Sequence, residues 1–285
     1  MQTLASIASQ KLPSGTAVRV IVADNDDTTV ARTAIIRYAQ VLGLALHYVH
    51  APARNISIAR NACLDVAENE WIVFIDDDEV ATPHWIATLL ERRGSNQIVF
   101  GVSQALYSDP ATPKWIVAGD FHSNRISGHD GAWNGYTANV LISRSFVASK
   151  GLRFAVALGQ IGGEDTMFFF EAHRSGARFG YTPDAVVHEE TPLARASLRW
   201  LAFRRFRSGQ VHLLLMRRHG GVISTGIGAL PKALLCLASA LVFVASPRDA
   251  ARHFLRAMLH LGVIASSLGI APYREYGPDC RSILD

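Results

Sequence analysis

Short, wholly apolar runs alternate along the chain with stretches of helical spacing. Val18 to Ala23 is a β-branched run ending at Asp24; Leu46 to Val49, Trp71 to Ile75 and Gln97 to Gly101 follow it. Runs of this length without apolar/polar alternation mark strands covered on both faces. Between them, Thr33 to Leu42 has helical spacing and stops at Gly43, and Ser57 to Ala67 is a second helix with Ser57 as candidate N-cap. Thr82-Pro83 opens a third, with cap and N1 proline in the favoured places. Strands alternating with helices predict an α/β protein with a doubly wound, mainly parallel sheet and helices on both faces.

The pattern continues with a strand at Asn139 to Ser143, a helix from Glu164 to Arg174 stopped by Gly176, and short strands at Ala177 to Tyr181 and Ala185 to His188. Residues 105–137 are weakly periodic and rich in Gly, Asp, Ser, His and Trp, which predicts a loop-rich cover over a site. Met1 to Leu12 lacks the basic and apolar regions of a signal peptide and reads as the tail of a helix ending at Pro13-Ser14-Gly15. After residue 192 the character changes to basic and apolar helices. The expected division is therefore a catalytic domain over 1–192 and a helical C-terminal region over 193–285.

Charge sharpens that division. No acidic residue lies between Glu190 and Asp249, whereas Arg195, Arg199, Arg204, Arg205, Arg207, Arg217, Arg218, Lys232 and Arg248 all do. Such a segment favours anionic partners. Its arginines alternate with aliphatics in a helix, so no nucleic-acid partner is expected. Ala233 to Ala245 is a continuous apolar run, extended weakly backwards to Val222 and interrupted by Pro231-Lys232, and its uninterrupted part is shorter than the ~20 residues a membrane span needs. Phe254 to Ile270 is a second apolar stretch, carrying Arg256 and His260. Two readings fit: helices buried against the catalytic domain, or interfacial helices lying in a membrane. Arginines without acids favour the second, as does a mean hydropathy of +0.16 with only 18% charged residues. The expected location is the cytoplasmic face of the cell membrane, peripheral or monotopic. Cys63, Cys236 and Cys280 form no disulfide framework, which fits a reducing compartment.

Candidate chemistry sits at strand ends. Asp76-Asp77-Asp78 follows an apolar strand, the place where open α/β sheets bind ligands. Adjacent carboxylates repel unless a cation offsets them, and a hard divalent ion suits their oxygens; a solvated acidic turn is the plain alternative. Gly162-Gly163-Glu164-Asp165 precedes a helix, where the acids either cap it or supply a general base. His188 ends a strand beside Glu189 and Glu190, as a structural residue or a metal or phosphate contact. Arg60 lies inside a predicted helix, on the surface or binding a base or phosphate.

Taken in order, Asp24, Ala59-Arg60-Asn61, Phe74-Ile75-Asp76-Asp77-Asp78, Gly163-Glu164-Asp165 and His188-Glu189 resemble the family 2 glycosyltransferases of the GT-A fold, over about residues 17–212. Val20 to Asp26, Asn55 to Asn61, Gly162 to Phe169 and Arg204-Arg205-Phe206-Arg207 look most like bacterial exopolysaccharide glucosyltransferases of the succinoglycan type. The resemblance implies a nucleotide-diphosphate sugar donor (UDP-glucose), a lipid-linked or polysaccharide-precursor acceptor, and a divalent metal, Mg²⁺ or Mn²⁺. It implies that Asp24 and Arg60 contact the base, that Asp76 and Asp77 belong to the donor site, with Asp76 near the ribose, and that Asp78, with Asp76 and His188, holds the metal. Asp165 would be the catalytic base with Glu164 its neighbour, and Arg204, Arg205 and Arg207 would hold the diphosphate. Direct displacement by the acceptor would invert the anomeric configuration.

The family's first strand has no counterpart here; the chain starts near the end of the helix that should follow it. That absence predicts unpaired strand edges and exposed apolar surface; two readings compete, a start assigned too late in a longer natural protein, and an inactive, truncated, membrane-associated relative. A metal-dependent sugar nucleotidyltransferase is another, although the Gly-rich phosphate loop it should carry is not visible.

Overall fold

The structure is a computed structural model that describes residues 1–126, 135–218, 226 and 228–273, with backbone alone at 217 and 218. The side chains of Arg217 and Arg218, Val222, Cys280 and residues 127–134 of the expected cover lie outside the described residues.

In chain order the elements are α1 (Gln2–Ala8), β1 (Arg19–Asp24), α2 (Arg32–Val41), β2 (Ala45–His50), α3 (Ile56–Val66), β3 (Trp71–Ile75), β4 (Glu79–Ala81), α4 (Trp85–Arg92), β5 (Ile98–Leu106), α5 (Lys114–Gly119), β6 (Asn139–Ser143), α6 (Arg144–Lys150), α7 (Glu164–Arg174), β7 (Phe179–Glu190), α8 (Leu198–Arg218), α9 (Ala229–Val242) and α10 (Pro247–Ser267). The expected α/β plan is present. β1 and β2 pair in parallel, and a five-stranded sheet runs in the order β3-β6-β5-β7-β4. In it β3, β5 and β7 share one direction while β6 and β4 run against them. Neighbouring residues point to opposite faces, so each strand feeds two cores. Phe100, Val140 and Ile142 pack with Phe168 and Phe169 of α7 on one face. Val99, Leu141 and Val187 pack with Trp85, Ile86 and Leu89 of α4 on the other.

Several local expectations shift for stated reasons. The cap of α3 is Asn55, whose side chain accepts from the N–H groups of Ser57 and Ile58, while Ser57 is buried and donates to Ala155 O. α4 begins at Trp85, just beyond Thr82-Pro83; the Thr82 hydroxyl donates to Val186 O, and its carbonyl accepts from the Trp85 N–H. The two short strands after Gly176 are one, β7, whose register against β5 shifts between Phe100 and Val102. A Cβ on Gly101 there would lie 2.3 Å from Ala185 O, so only glycine permits the approach. α1 ends at Ala8, short of Pro13. β4 and α6 carry too little local pattern to have been expected. Cys63 and Cys236 are free thiols.

Two features bear on the expectations for the chain's two ends. Among the described residues β1 pairs only with β2 and β3 only with β6. Every residue of β3, all apolar, stays partly exposed, and β1 buries only Val20. Both strands thus present an open edge and accessible apolar surface among the described residues. At the other end, α8 packs Val211 and Leu215 against Leu158 and Met167, and Leu201 with Leu255 of α10 against Ile116 of α5. α8 and α10 cross at Gly209 and Gly262, where a Cβ on either would lie 1.9 Å from a carbonyl oxygen of the other helix.

Strand edges without partners leave amides open to water. Hydrogen–deuterium exchange should therefore find the β1 and β3 amides exchanging at least about tenfold faster than those of β5 and β6. Equal protection would show that these edges are covered in solution.

Candidate active site

Four of the expected site residues converge from three elements. β3 delivers Asp76 at its carboxyl end, α3 delivers Arg60, and the N-terminus of α7 delivers Glu164 and Asp165. Gly163 precedes α7 at φ 89° and Gly162 at φ 85°, conformations that glycine adopts without strain. Val211 of α8 lies where a Gly163 Cβ would stand, at 2.1 Å, so the turn is pressed against α8.

Arg60 is the centre of this cluster. Its guanidinium Nη1 donates to Glu164 Oε1 at 2.6 Å and Asp165 Oδ1 at 2.7 Å, and Nη2 stands 3.6 Å from Asp76 Oδ1. Only 10% of its side chain is exposed. The surface position open to a helical arginine is therefore not taken. Burial pulls against its charge, but Asp165, Asp76 and Glu164 outweigh that pull and raise its pKa. Asp165 is held from a second side: the Thr137 N–H donates to Oδ2 at 3.1 Å, and the Thr137 hydroxyl donates to the same carboxylate at 3.0 Å.

The other acids experience burial. Glu164, with Oε2 buried and unpaired, is pushed up to about 7, first by burial, then by Asp165, against the pull of Arg60. Asp76 is pushed up to about 6 by burial, with Arg60 opposing and Asp165, Asp78 and Asp77 adding; its side chain is 44% exposed, so solvent screens part of this. Glu79, which the acidic triplet overshadowed, is 1% exposed and pushed up to about 9 by burial and then by Asp76. It accepts from the Ser103 hydroxyl at 2.6 Å and the Asp76 N–H at 3.0 Å, so it anchors the turn that presents the triplet.

Asp24 ends β1, where the Tyr48 hydroxyl donates to its Oδ2 and the Asp26 N–H to its Oδ1. Asp77 and Asp78 are exposed, and Asp77 O accepts from the Thr3 hydroxyl at 2.6 Å. His188 faces away from its neighbour Glu189, and its Nδ1 is buried without a partner. Glu189 is raised by burial and then by Asp78, with Arg195 and Arg204 opposing. So Glu189 shares Asp78's surroundings. Arg204 stacks over Trp200 at 5.3 Å, a Gly162 Cβ would lie 3.2 Å from Arg207 Nη2, and Arg205 is exposed. Among the described residues no three His, Cys, Asp or Glu side chains converge as a metal site. The donors that are there, exposed Asp77 and Asp78 oxygens and the unpaired His188 nitrogen, fit a divalent cation in kind. Thr137 and Tyr48 carry no signal in the sequence, and Glu189 stood out there only as the neighbour of His188.

Known proteins bear on this geometry. Residues 1–147 match the family model described as Glycosyl transferase family 2. The chain is 41% identical over 282 residues to the succinoglycan biosynthesis protein ExoM of Rhizobium meliloti (strain 1021), covering 97% of this chain and 91% of that protein. Its fold is similar to that of S. aureus TarS. The TarS 1–349 structure in complex with UDP matches with TM-score 0.54 at 14% identity, over 94% of this chain and 86% of that one. The TarS 1–349 complex with UDP-GlcNAc matches with the same score and identity, over 94% and 87%.

Removing Arg60 strands buried carboxylates. Arg60→Ala should lower the unfolding free energy by about 3–5 kcal/mol in denaturant titrations, with Arg60→Lys intermediate. A loss below about 1 kcal/mol would mean that the cluster is solvated.

Glu79 and Glu164 keep protons in the folded state that an unfolded glutamate releases near 4.5. Their contribution is complete below that value and lost as pH rises through about 7 and about 9. Thermal unfolding from pH 5 to pH 9 should show Tm falling with pH, and falling less in Glu79→Gln. A Tm independent of pH in both proteins would contradict the burial of Glu79.

Proposed function

The chain belongs to glycosyl transferase family 2 and is a glycosyltransferase, and on that premise we propose that it moves a hexosyl group from a nucleoside-diphosphate sugar to a hydroxyl of a polysaccharide precursor in exopolysaccharide biosynthesis. UDP-glucose is the proposed donor and a lipid-linked oligosaccharide the proposed acceptor. One arrangement carries the reading: Asp165, oriented by Arg60 and Thr137, stands beside Asp76 at the carboxyl end of β3.

The roles follow from placement. Asp24, held by Tyr48, takes the base, and Asp76 and Asp77 line the ribose and donor side. Arg60 keeps Asp165 and Glu164 in place, since its guanidinium is already committed to them. Asp78, with Asp76 two residues before it and His188 opposite Val80 where β7 pairs with β4, would hold a divalent cation together with the diphosphate. Such an ion supplies neutralising charge for the departing diphosphate. Arg204 and Arg207 contribute positive charge from α8, with the exposed Arg205 between them.

The acceptor oxygen attacks the anomeric carbon opposite the diphosphate. Its proton passes to Asp165, the bond from that carbon to the diphosphate oxygen breaks, and the electron pair leaves with the diphosphate. A single displacement inverts the anomeric carbon, so an α-linked donor yields a β-linked product.

A second reading has one observation behind it. The open edges of β1 and β3 border the nucleotide side of the sheet, and a non-catalytic relative would bind no donor. Family membership sets aside the sugar nucleotidyltransferase.

Calorimetry should detect UDP binding that strengthens with Mn²⁺ and loses that metal dependence in Asp78→Ala. With UDP-glucose and a polyprenyl-diphosphate-linked saccharide, Asp165→Asn should retain UDP binding and lose about 10²–10⁴-fold in turnover. Full activity in Asp165→Asn, or a product of retained configuration, would sink the mechanism. Absence of UDP binding would support the non-catalytic reading.

A further inference from the structure

α9 is built with its large side chains on the outside. Leu230, Leu234, Leu235, Leu241 and Val242 are each more than half exposed, and the turn beyond them adds Val244 at 72%. The face turned to α10 carries the small residues Ala229, Ala233 and Cys236, all buried. The spacing of the outer residues keeps them on one side of the helix. A surface helix in water does the reverse, with its large apolar residues inward. Scattered exposed leucines need no explanation, but a continuous stripe of them does.

Charge says what covers the stripe. Lys232 is exposed on α9 itself, and Arg248, Arg252 and Arg256 are exposed on α10. Asp249 pairs with Arg248 and Arg252, leaving an excess of positive charge on α9 and α10. Two copies meeting through this face by a twofold axis would bring these cations together. A negatively charged lipid surface would neutralise them. The length of α9, 14 residues, gives about 21 Å, short of the ~30 Å hydrocarbon layer. No helix among the described residues is long and apolar enough to cross a membrane.

We propose that α9 and the turn after it dock in the headgroup layer of an anionic membrane, lying in its plane. The arrangement also ties the membrane to the site. α9 rests on α10, α10 crosses α8 with backbones in contact at Gly209 and Gly262, and α8 carries Arg204 and Arg207 beside the acids. The lipid leaflet is the cytoplasmic one, whose surface is negative. A lipid-linked acceptor would then meet the site at the membrane surface, a corollary that rests on the proposed transferase activity; the docking itself does not.

Flotation with phosphatidylcholine vesicles, with and without phosphatidylglycerol, tests it on the full chain. Wild type should float with the anionic vesicles, less with added salt and less with phosphatidylcholine alone. Leu235→Asp combined with Leu241→Asp should bind at least about tenfold more weakly, and Lys232→Glu with Arg256→Glu should lose the preference for anionic lipid. Both variants alter exposed residues, and circular dichroism checks that they remain folded. Asp78→Ala should float like wild type, so a failed donor site and a failed docking face are separable. Absence of flotation, or equal flotation by the folded aspartate variant, would overturn the proposal. So would a vesicle-free dimer that Leu235→Asp disperses, since a second copy would then be the cover.

Discussion

The site depends on one buried guanidinium. Arg60 faces three carboxylates from two other elements, and each partner alone would be costly to bury. A planar, permanently charged fork can donate to two carboxylates at once, which a lysine ammonium does less specifically. Asn55 caps α3, and its amide also donates to Val156 O, so the helix carrying Arg60 is tied to the segment leading into α7. The N-terminal dipole of α7 adds favourable field at Glu164 and Asp165. Glu79 and Ser103 hold the opposite side of the Asp76 turn.

The sheet supports this cluster unevenly. β5 and β6 are buried on both faces and set a rigid base, while β1 and β3 stand at open edges. The acids that touch the rigid part, Asp165 through Thr137 and Glu79 through Ser103, are firmly held. Asp24, Asp77 and Asp78 lie toward the open part and remain more accessible. The candidate base is thus more firmly fixed than the surface proposed for the donor.

The C-terminal helices are joined to the catalytic part through α8, not merely appended to it. α8 closes over Gly162 and Gly163 on one side and meets α10 at a glycine crossing on the other. Small residues at both contacts let backbones approach, and the close approach leaves little room for the helices to slide independently.

By itself the sequence determined the α/β plan, the strand ends at Asp24 and Asp76, the helix starting at Glu164 and the family these belong to. Each is written locally, in apolar runs, adjacent acids and a glycine pair. Only the tertiary structure decided that Arg60 is buried among acids, that Thr137 grips Asp165, that Glu79 is sealed beneath the triplet, and that Asn55 rather than Ser57 caps α3. These facts join residues up to 105 positions apart, and no local pattern records which of many polar side chains will meet once the sheet has closed. The direction in which the leucines of α9 face was also undecided in sequence. An apolar run is apolar on every side, and only the packing of its small residues against α10 leaves the large ones outward.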